Sequence, residues 1–501
     1  MPAITVKTKS GGAASESPLA SRIGADILGK GGNAVDAAVA VSYAITVALP
    51  HLGGIGGDFY AMIAEPNGSI RVVNGSGPSP AGLKRNLVIG NGYSKMPDTG
   101  GLSITIPGLV DSTWLMSREL GTLEWKELID PSIIMASGGF PAPKTLVDSV
   151  NNLASTLGKY KGTWKVYSYI TERGMTVKFK GLAKLLSMIA EDHRVFYEGE
   201  PADKLVEAVN SNEGVFDPED LASYRAYITE PIAIEYEDWT VWEMPPNTQG
   251  ITTLHILKLL EDAPTEIESS TINRLLQAYR IAYYIRDNYI GDPDYMQYKP
   301  VELLKDPFLN RVEQEASNYA LDRSGDTTFL ITVDREGRIV LGIQSLFHHF
   351  GSLVTEPHYQ IPLNSRAACF TLKPGVPNTV GPRKLPLHTL STVLMEGKDR
   401  IIGFGLSAGH YRPQFHAQIA KRIMDGGEDA VDALQAPRLA WAPWTNKIIV
   451  DMELASKLQG LQGYEVTTGR TGVGSIVEVY NGDIRLATDR RGEGVPSAAR
   501  P

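Results

Sequence analysis

The stretch GDTTFLITVDREGRIVLGIQSLF, residues 325–347, decides the fold. Apolar and β-branched residues flank Asp334-Arg335-Glu336-Gly337, a pattern that predicts two strands joined by a tight hairpin. Upstream of Thr327 the chain has mainly helical patterns, and downstream it has mainly strand patterns. We therefore predict a helix-rich part, residues 1–326, and a β-rich remainder, residues 327–501, that begins at Thr327.

Further elements are expected on both sides of the hairpin. Small and apolar residues at helical spacing over 18–49 predict two helices, the second starting near Asn33 after a glycine turn. Other segments predict strands at 59–64, 71–77, 101–108, 232–245, 447–452 and 474–489, and helices over 109–227 and 251–292.

Composition and charge exclude several functional classes. The net charge of −9, without a run of basic residues alternating with aromatic ones, argues against nucleic acid or an anionic membrane as a partner. The longest apolar stretch, residues 37–50, is too short to span a bilayer. The N-terminal sequence MPAITVKTKSGG has no apolar signal core, so a cytoplasmic location is expected.

Thr327 has two interpretations from the residues alone. A threonine hydroxyl is a weak nucleophile that needs a base. If the backbone is cut just before Thr327, the new α-amine, with a reference pKa of roughly 7.7–8.0, can be that base. A Thr-Thr pair at the start of a strand is also what β-propensity favours. Both interpretations stay open at this point.

Signals for other chemistries are weak. The single cysteine, Cys369, excludes an internal disulfide and a multi-cysteine metal site, and buried packing is its better interpretation. Two adjacent histidines on one strand point to opposite faces and do not share a metal ion. His348 and His349, with His358 downstream, are therefore a weak signal for a metal site. Two glycine-rich stretches, at 24–31 and 403–409, miss the nucleotide-binding spacings. No metal or other cofactor is expected.

The sequence resembles the γ-glutamyltransferase superfamily of N-terminal-nucleophile hydrolases over nearly its whole length. GDTTFLITVDREGRIV is similar to the segment at which that family is cut into two subunits, the first threonine becoming a new N terminus. The other similar segments, in the same order, are SPLAS (17–21) with ADILGKGGNAVDAAVA, HLGGIGGD (51–58), ITIPGLVD (104–111), EMPPNTQG (243–250), RDNYIGDP (286–293), FGS (350–352), PGVPNTVGPRKLPLHTLS (374–391) and GFGLSAGHYRPQ (403–414).

The resemblance implies an α+β fold, the αββα sandwich, in which two stacked antiparallel sheets lie between helical layers. It also implies that the fragments 1–326 and 327–501 stay associated as one interleaved domain, and a homodimer of such pairs is an open alternative.

The resemblance also implies catalytic roles. Thr327 matches the nucleophile, which attacks the carbonyl carbon of Asp326 during self-cleavage and a substrate amide afterwards. Ser345 matches a family threonine that hydrogen-bonds near the nucleophile. Ala408 and Gly409 match the loop whose N–H groups form the oxyanion hole. Ala408 replaces a usual glycine, which is tolerated unless that position needs a positive φ.

Three departures concern the substrate. Where glutathione-handling members have an arginine for the substrate carboxylate, this chain has the stretch beginning at Asn74. Cys369 aligns near an aspartate that holds the substrate amine, and His388-Thr389 aligns with a serine pair. Recognition of a γ-glutamyl group is therefore not expected, because a site built for hydrogen bonding discriminates strongly.

The segments NGSGPSP, SRAACF and PLHTLS look more like the branch that includes oxamate amidohydrolase and acylase-like members. In that branch an arginine aligned with Arg366 is positioned to meet a substrate carboxylate. A structural ion pair is the alternative for Arg366. His388 and His410 have the same two interpretations, lining the pocket or packing.

Three functional hypotheses follow. The first is a self-activated amidohydrolase acting on a small carboxylated or acyl amide that is not a γ-glutamyl compound. The second is a γ-glutamyltransferase or glutathione hydrolase that uses replaced binding residues. The third is a non-catalytic relative that binds a ligand, against which the intact Thr327, Ser345 and Gly409 argue.

Overall fold

The computed structural model of the chain describes residues 4–316, 326–442, 445–458 and 460–500. Its strands are β1 (Ile4–Thr8), β2 (Gly12–Ser15), β3 (Asp58–Ala64), β4 (Ile70–Gly75), β5 (Phe140–Pro141), β6 (Thr176–Val177), β7 (Tyr227–Thr229), β8 (Ile232–Tyr236), β9 (Trp239–Glu243), β10 (Asp326–Val333), β11 (Ile339–Phe347), β12 (Thr355–Glu356), β13 (Ile361–Pro362), β14 (Val393–Glu396), β15 (Arg400–Ser407), β16 (Leu439–Trp441), β17 (Lys447–Val450), β18 (Glu465–Thr468), β19 (Val473–Tyr480), β20 (Asp483–Thr488) and β21 (Ser497–Ala498).

The helices are concentrated before residue 316. They are α1 (Pro18–Gly29), α2 (Ala34–Ala48), α3 (Pro50–Gly53), α4 (Arg85–Gly90), α5 (Leu109–Leu120), α6 (Trp125–Gly138), α7 (Lys144–Leu157), α8 (Lys161–Tyr167), α9 (Lys180–Glu191), α10 (Val195–Glu198), α11 (Glu200–Asn210), α12 (Pro218–Ala222), α13 (Gly250–Leu259), α14 (Ile272–Tyr289), α15 (Pro300–Leu303), α16 (Asp306–Glu315), α17 (Arg412–Met424), α18 (Ala430–Gln435) and α19 (Met452–Ala455). Short 3₁₀ turns lie at Gly101–Ser103, Pro293–Tyr295, Arg366–Cys369 and Gly409–Tyr411.

Two seven-stranded antiparallel sheets form the centre of the fold. Sheet I has the order β21-β2-β10-β11-β3-β4-β7, and sheet II has the order β1-β20-β19-β15-β14-β9-β8. Each sheet takes strands from before and from after residue 326, so neither part of the chain completes a sheet alone. The two parts therefore share one core.

Three apolar layers hold the sheets and helices together. The layer between the sheets contains Phe329 and Leu341 of sheet I and Val477 of sheet II. Helices α1, α2, α5, α6 and α9 cover the outer face of sheet I, and α13, α14 and α17 cover the outer face of sheet II. This arrangement is the αββα sandwich, and the expected fold class is confirmed.

Glycines allow the sheets to approach each other beside β10. A methyl group on Gly405 of β15 would lie 2.6 Å from the ring of Phe329, and one on Gly403 would lie 2.8 Å from Leu341. Both distances are far shorter than a normal carbon–carbon contact. The glycines of this stretch therefore serve close sheet packing, which accounts for a pattern that superficially resembles a nucleotide-binding loop.

Most sequence-based predictions of elements are confirmed. The hairpin forms β10 and β11, and the helix pair forms α1 and α2. Helix α2 begins with a capping box, in which the Asn33 side chain accepts from the backbone N–H of Asp36 and the Asp36 side chain accepts from that of Asn33.

The strand predicted at 101–108 is wrong. Residues Gly101–Ser103 form a 3₁₀ turn, and the N–H groups that follow bond to loops instead of a neighbouring strand. The N–H of Thr105 donates to the Asn364 side chain at 3.1 Å, and that of Ile106 donates to the carbonyl of Pro78 at 3.0 Å. Apolar alternation here reflects burial within loops.

Candidate active site

The candidate site lies at one end of the space between the two sheets. Strand β10 starts there, close to where β11 ends. Side chains alternate along a strand, so Thr327 lies on the same face of sheet I as Phe329, which packs between the sheets. By the same rule Ser345 on β11 faces this space. Thr327 and Ser345 are both fully buried.

The hairpin is irregular at Thr327, the predicted nucleophile. Asp326 pairs with Phe347 and Thr328 pairs with Gln344, so Thr327 faces two residues of β11, Ser345 and Leu346. Bulges of this kind redirect side chains and are common next to active sites. The side chain of Asp326 lies outside the described part of the structure.

The end of β11 is fixed by the residue that matches the family threonine. The Ser345 hydroxyl accepts a hydrogen bond of 2.7 Å from the backbone N–H of Phe347. Phe347 has a φ of +81°, a conformation that costs a non-glycine residue on the order of 1–3 kcal/mol. The chain therefore leaves β11 in a sharp turn directly opposite Asp326.

The predicted oxyanion loop follows the end of β15. Ala408 has a φ of −154°, so this position does not need glycine and the alanine is accommodated. Gly409 has a φ of +50°, which glycine adopts at little cost. The glycine of this pair thus stands at the position with positive φ, and the alanine stands at the position without it.

A glutamine connects this loop to the segment that carries two other predicted site residues. The side-chain amide of Gln249 donates to the carbonyls of Thr389, at 2.8 Å, and Gly409, at 2.9 Å. Arg286 in turn places one guanidinium nitrogen 3.0 Å from the Gln249 side-chain oxygen and 3.1 Å from Nδ1 of His410. His410 thus belongs to the support of the loop.

The adjacent strand β3 starts with Asp58, which belongs to a buried ionic cluster. Asp58 pairs with Ser345 in the ladder and is fully buried. One of its carboxylate oxygens lies 3.1 Å from Nε of Arg366 and 3.0 Å from Nε2 of His388. Nη1 of Arg366 donates to the hydroxyl of Thr389 at 3.0 Å. Three predicted substrate-binding residues are therefore brought together: Asp58 contacts Arg366 and His388, and Arg366 contacts Thr389.

His388 is neutral in this cluster. Its Nδ1 accepts from the backbone N–H of Leu390 at 3.3 Å, which assigns the proton to Nε2, the atom facing Asp58. Burial, followed by the positive charge of Arg366, lowers the pKa of His388 to about 4. The cluster consequently contains one cation and one anion that balance each other.

The ion-pair interpretation of Arg366 is confirmed, and its role in substrate binding stays a prediction. It forms a structural ion pair with Asp58, and its guanidinium carbon lies 4.8 Å from the centre of the Phe347 ring. Its Nη2 is buried and has no hydrogen-bond partner among the described residues. A buried donor without a partner costs roughly 1–3 kcal/mol, so Nη2 is suited to meet a ligand oxygen.

Asn74 faces a different set of amides. Its side-chain nitrogen donates to the hydroxyl of Tyr227 at 2.9 Å and to the side-chain oxygen of Asn247 at 3.1 Å. Asn247 also accepts from Tyr60, whose ring packs 4.9 Å from that of His388. Asn74 therefore lies one layer behind the ionic cluster.

The remaining histidines and the cysteine do not form a metal site. Cys369 is buried with its sulfur 3.7 Å from Nη1 of Arg366. Strand β11 ends at Phe347, so His348 and His349 lie in the segment after it and the argument from opposite strand faces does not apply to them. Within the described ranges no three histidine, cysteine, aspartate or glutamate side chains are placed to hold a metal ion. No helix in those ranges is long and apolar enough to cross a bilayer.

Comparison with known proteins decides the family. The family model described as gamma-glutamyltranspeptidase matches residues 20–499. The chain belongs to the γ-glutamyltranspeptidase family. It is 32% identical over 443 residues to the glutathione hydrolase-like YwrD proenzyme of Bacillus subtilis, covering 84% of this chain and 83% of that protein. It is 28% identical over 512 residues to the oxamate amidohydrolase proenzyme of Klebsiella pneumoniae, covering 95% and 96%.

Among solved structures, this family member is similar to cephalosporin acylase from Bacillus halodurans. The TM-score is 0.90 at 28% identity, and the match covers 99% of this chain and 97% of that one. The family assignment and the fold therefore agree over the same length of chain.

In this member of the γ-glutamyltranspeptidase family, sequence reasoning missed Asp58, Gln249 and Arg286 as parts of the site. All three lie inside segments that carry the family resemblance, at 51–58, 243–250 and 286–293. A polar or charged residue inside such a segment was the available signal. Their partners are distant in sequence, so spacing alone could not assign them.

Proposed function

We propose that this chain is a self-processing N-terminal-nucleophile amidohydrolase in which Thr327 is both the processing residue and the catalytic nucleophile. The observation that carries the proposal is the position of Thr327. It lies at the start of β10, on the face between the sheets, opposite Ser345 at an irregular pair. A cut before this residue leaves a hydroxyl and an amine together at the end of a buried strand.

Self-processing starts with attack of the Thr327 hydroxyl oxygen on the carbonyl carbon of Asp326. The C–N bond breaks, the acyl group moves to oxygen as an ester, and the nitrogen takes the hydroxyl proton. Water then hydrolyses the ester, which releases the Asp326 carboxylate and restores the Thr327 hydroxyl beside the α-amine that the shift has freed. The fragments 1–326 and 327–501 stay together because both sheets contain strands of each.

Turnover repeats this chemistry on a substrate amide. The α-amine takes the proton of the Thr327 hydroxyl, the oxygen attacks the amide carbon, and the departing amine receives the proton. Water then hydrolyses the acyl ester, which releases the acid and restores the hydroxyl. The backbone N–H groups of Ala408 and Gly409 are proposed to stabilise the negative oxygen that forms. Such donors typically lower the barrier by roughly 3–4 kcal/mol.

The acyl group we propose is short, polar and not γ-glutamyl. Asp58 already balances the charge of Arg366, so the cluster does not present a free cation. What remains is Nη2 of Arg366, one buried donor group that fits a single oxygen of the acyl group. The name of the oxamate amidohydrolase relative supports a small acyl group of this kind.

A second candidate is a glutathione hydrolase or γ-glutamyltransferase. The observation in its favour is the similarity to the YwrD protein, whose name includes glutathione hydrolase. The substitutions at Asn74, Cys369 and His388-Thr389 are the argument against it, since they remove the groups that hold both ends of a γ-glutamyl substrate.

An assay of the purified, processed protein separates the two candidates. Oxamate and short acyl amides are compared with a γ-glutamyl anilide, in the parent and in Arg366→Ala. The proposal expects kcat/KM for a short acyl amide to exceed that for the anilide, and to fall by at least tenfold in the variant. Faster turnover of the anilide would make the second candidate correct.

A further inference from the structure

Residues 159–184 have a net charge opposite to that of the whole chain. They contain one acidic residue, Glu172, and seven basic ones, Lys159, Lys161, Lys165, Arg173, Lys178, Lys180 and Lys184. The net charge of the whole chain is −9. Lysines also alternate with aromatic residues over 159–165, in the sequence KYKGTWK. This segment is therefore a local exception to the charge argument made for the whole chain.

The segment folds into α8, β6 and the first turn of α9, and it turns its basic residues outward. In α8, Lys161 and Lys165 are four residues apart, so their side chains lie on one face of the helix, and Trp164 lies beside them. Lys178 and Lys180 are both exposed on either side of the buried Phe179. Each helix therefore contributes lysines to the protein surface.

Helices α8 and α9 pack side by side on the same hairpin, β12–β13. A methyl group on Gly162 of α8 would lie 2.4 Å from the carbonyl oxygen of Thr355, and one on Gly181 of α9 would lie 2.2 Å from that of His358. The hydroxyl of Tyr169, after α8, donates to the carbonyl of Lys178, before α9, at 3.2 Å. The exposed residues of both helices therefore form one lysine surface: Lys159, Lys161, Trp164, Lys165, Tyr169, Lys178 and Lys180.

The charges of the lysine surface are not balanced by neighbouring carboxylates. Among the residues that the structure describes, none of its five lysines forms an ion pair, although lysines on the flanking helices α6 and α7 do. The arginine of the segment, Arg173, is paired with Glu493 at 3.1 Å. The lysine surface thus presents uncompensated positive charge to the solvent.

Two aromatic side chains stand among these lysines. Trp164 is 41% exposed and Tyr169 is 43% exposed. Of the tryptophans that the structure describes, only Trp164 is exposed. Tryptophan and tyrosine combine an apolar ring with a polar group, and both are enriched where a membrane meets water. Exposed aromatic rings surrounded by lysines are suited to a surface that is anionic at the headgroups and apolar beneath them.

We propose that the lysine surface binds the anionic headgroups of a lipid bilayer, with the Trp164 ring in the interface between headgroups and acyl chains. The protein then lies on the membrane without spanning it. Each lysine close to an anionic bilayer strengthens binding by roughly fivefold. This binding does not involve Thr327 and does not depend on the proposed function.

Nucleic acid is the less favoured partner for this surface. Arginine is the residue best suited to nucleic-acid phosphates, because its planar fork binds them in pairs of hydrogen bonds. The basic residues here are lysines, apart from Arg173, which is held by Glu493. Lysine is a point charge, which is sufficient for attraction to a laterally mobile layer of anionic lipids.

Charge reversal tests the proposal with a matched control. Lys161→Glu with Lys165→Glu reverses two charges of the lysine surface, and Lys398→Glu with Lys457→Glu reverses two exposed charges outside it. Trp164→Gln keeps every charge and removes the indole. Because all five side chains are exposed, we expect the melting temperatures of these variants to stay close to that of the parent.

Binding is measured by co-sedimentation with vesicles of phosphatidylglycerol and phosphatidylcholine in equal parts, and with vesicles of phosphatidylcholine alone. We expect the parent to bind the first and not the second, and about 1 M salt, with a Debye length of about 3 Å, to abolish most of the binding. The double variant in α8 should bind roughly tenfold more weakly or less. Trp164→Gln should also bind more weakly, and the control double variant should bind as the parent does.

Three results would overturn the proposal. The first is a parent that does not bind the phosphatidylglycerol vesicles, and the second is a control variant that loses as much binding as the α8 variant. The third is a Trp164→Gln variant that binds as tightly as the parent, since a purely electrostatic contact does not need the indole. Binding to duplex DNA that the α8 variant loses, without any binding to vesicles, would assign the lysine surface to nucleic acid instead.

Discussion

Arg366 and Asp58 form a fully buried ion pair, with Nε of the guanidinium 3.1 Å from a carboxylate oxygen. The two residues lie 308 positions apart and come from opposite sides of the proposed cut. The pair therefore joins the parts of the chain before and after the proposed cut, and Asp58 lies in the same sheet as the strand that carries Thr327.

Removing one partner of this ion pair should lower the stability of the protein more than replacing both partners with uncharged residues. Arg366→Met leaves the Asp58 carboxylate buried without its cation, and we expect the free energy of unfolding to fall by about 3–5 kcal/mol. Arg366→Met with Asp58→Asn removes both charges and should recover at least about 1 kcal/mol. Urea unfolding in a Thr327→Ala background, which keeps the chain in one piece, measures both. A double variant no more stable than the single one would contradict this account.

The acid stability of the protein should depend on His388. Its ordinary pKa is 6.5, and the folded environment lowers the pKa to about 4. Between these values the unfolded state binds a proton that the folded state does not. The contribution of His388 to the free energy of unfolding is therefore fully present above pH 6.5 and is lost as the pH falls towards 4. At pH 4.5 this loss amounts to roughly 2–3 kcal/mol.

His388→Gln should remove that part of the pH dependence. The variant is expected to be less stable than the parent at pH 7, because the hydrogen bond from His388 to Asp58 is altered. Between pH 7 and pH 4.5 it should lose less stability than the parent. Urea midpoints at several pH values give the comparison, again in the Thr327→Ala background. Parallel curves for parent and variant would show that His388 does not titrate as described.

Gly405 should tolerate no side chain. Gly405→Ala places a methyl group 2.6 Å from the Phe329 ring, so the sheets must separate or the ring must move, at a cost of roughly 1–3 kcal/mol. Gly90→Ala is the matched control, because Gly90 ends a short helix and a methyl group there meets nothing within 4 Å. The melting temperature should fall in the first variant only.

Gln249 should act on the rate and not on binding. Gln249→Leu removes the hydrogen bonds to the Thr389 and Gly409 carbonyls, and we expect kcat to fall by roughly 10–100-fold with little change in KM. Gln418 is a matched control, since it is also a buried glutamine that bonds to backbone carbonyls, those of Gln414 and Leu439. Gln418→Leu should lower stability and leave kcat unchanged. Equal effects on kcat in both variants would show that Gln249 has no specific role in positioning the loop at Gly409.

Much of the fold was accessible from the sequence because local patterns and tertiary packing agree in it. The period-two pattern of the β10–β11 hairpin and the capped helix starting after Asn33 both formed as predicted. The segment 101–108 has the same apolar alternation, yet its N–H groups bond to Asn364 and to the carbonyl of Pro78. Alternation reports burial, and it cannot show whether a neighbouring strand exists.

The candidate site was accessible to a smaller extent. Thr327, Ser345 and Gly409 could be predicted as site residues because the family motifs are short and continuous in sequence. The role of Asp58 depends on Arg366 and His388, which are brought to it from the other end of the chain. Such a contact is set by the stacking of the sheets, and no spacing within a single segment encodes it.

Self-cleavage at Thr327 is the central claim, and the intact mass of the freshly purified parent beside Thr327→Ala tests it most directly, with N-terminal sequencing of any fragments. We predict two fragments in the parent, the smaller beginning Thr-Thr-Phe-Leu-Ile, and a single uncut chain in the variant. A parent chain that remains whole after prolonged incubation, or a variant that is cut at the same bond, would contradict it.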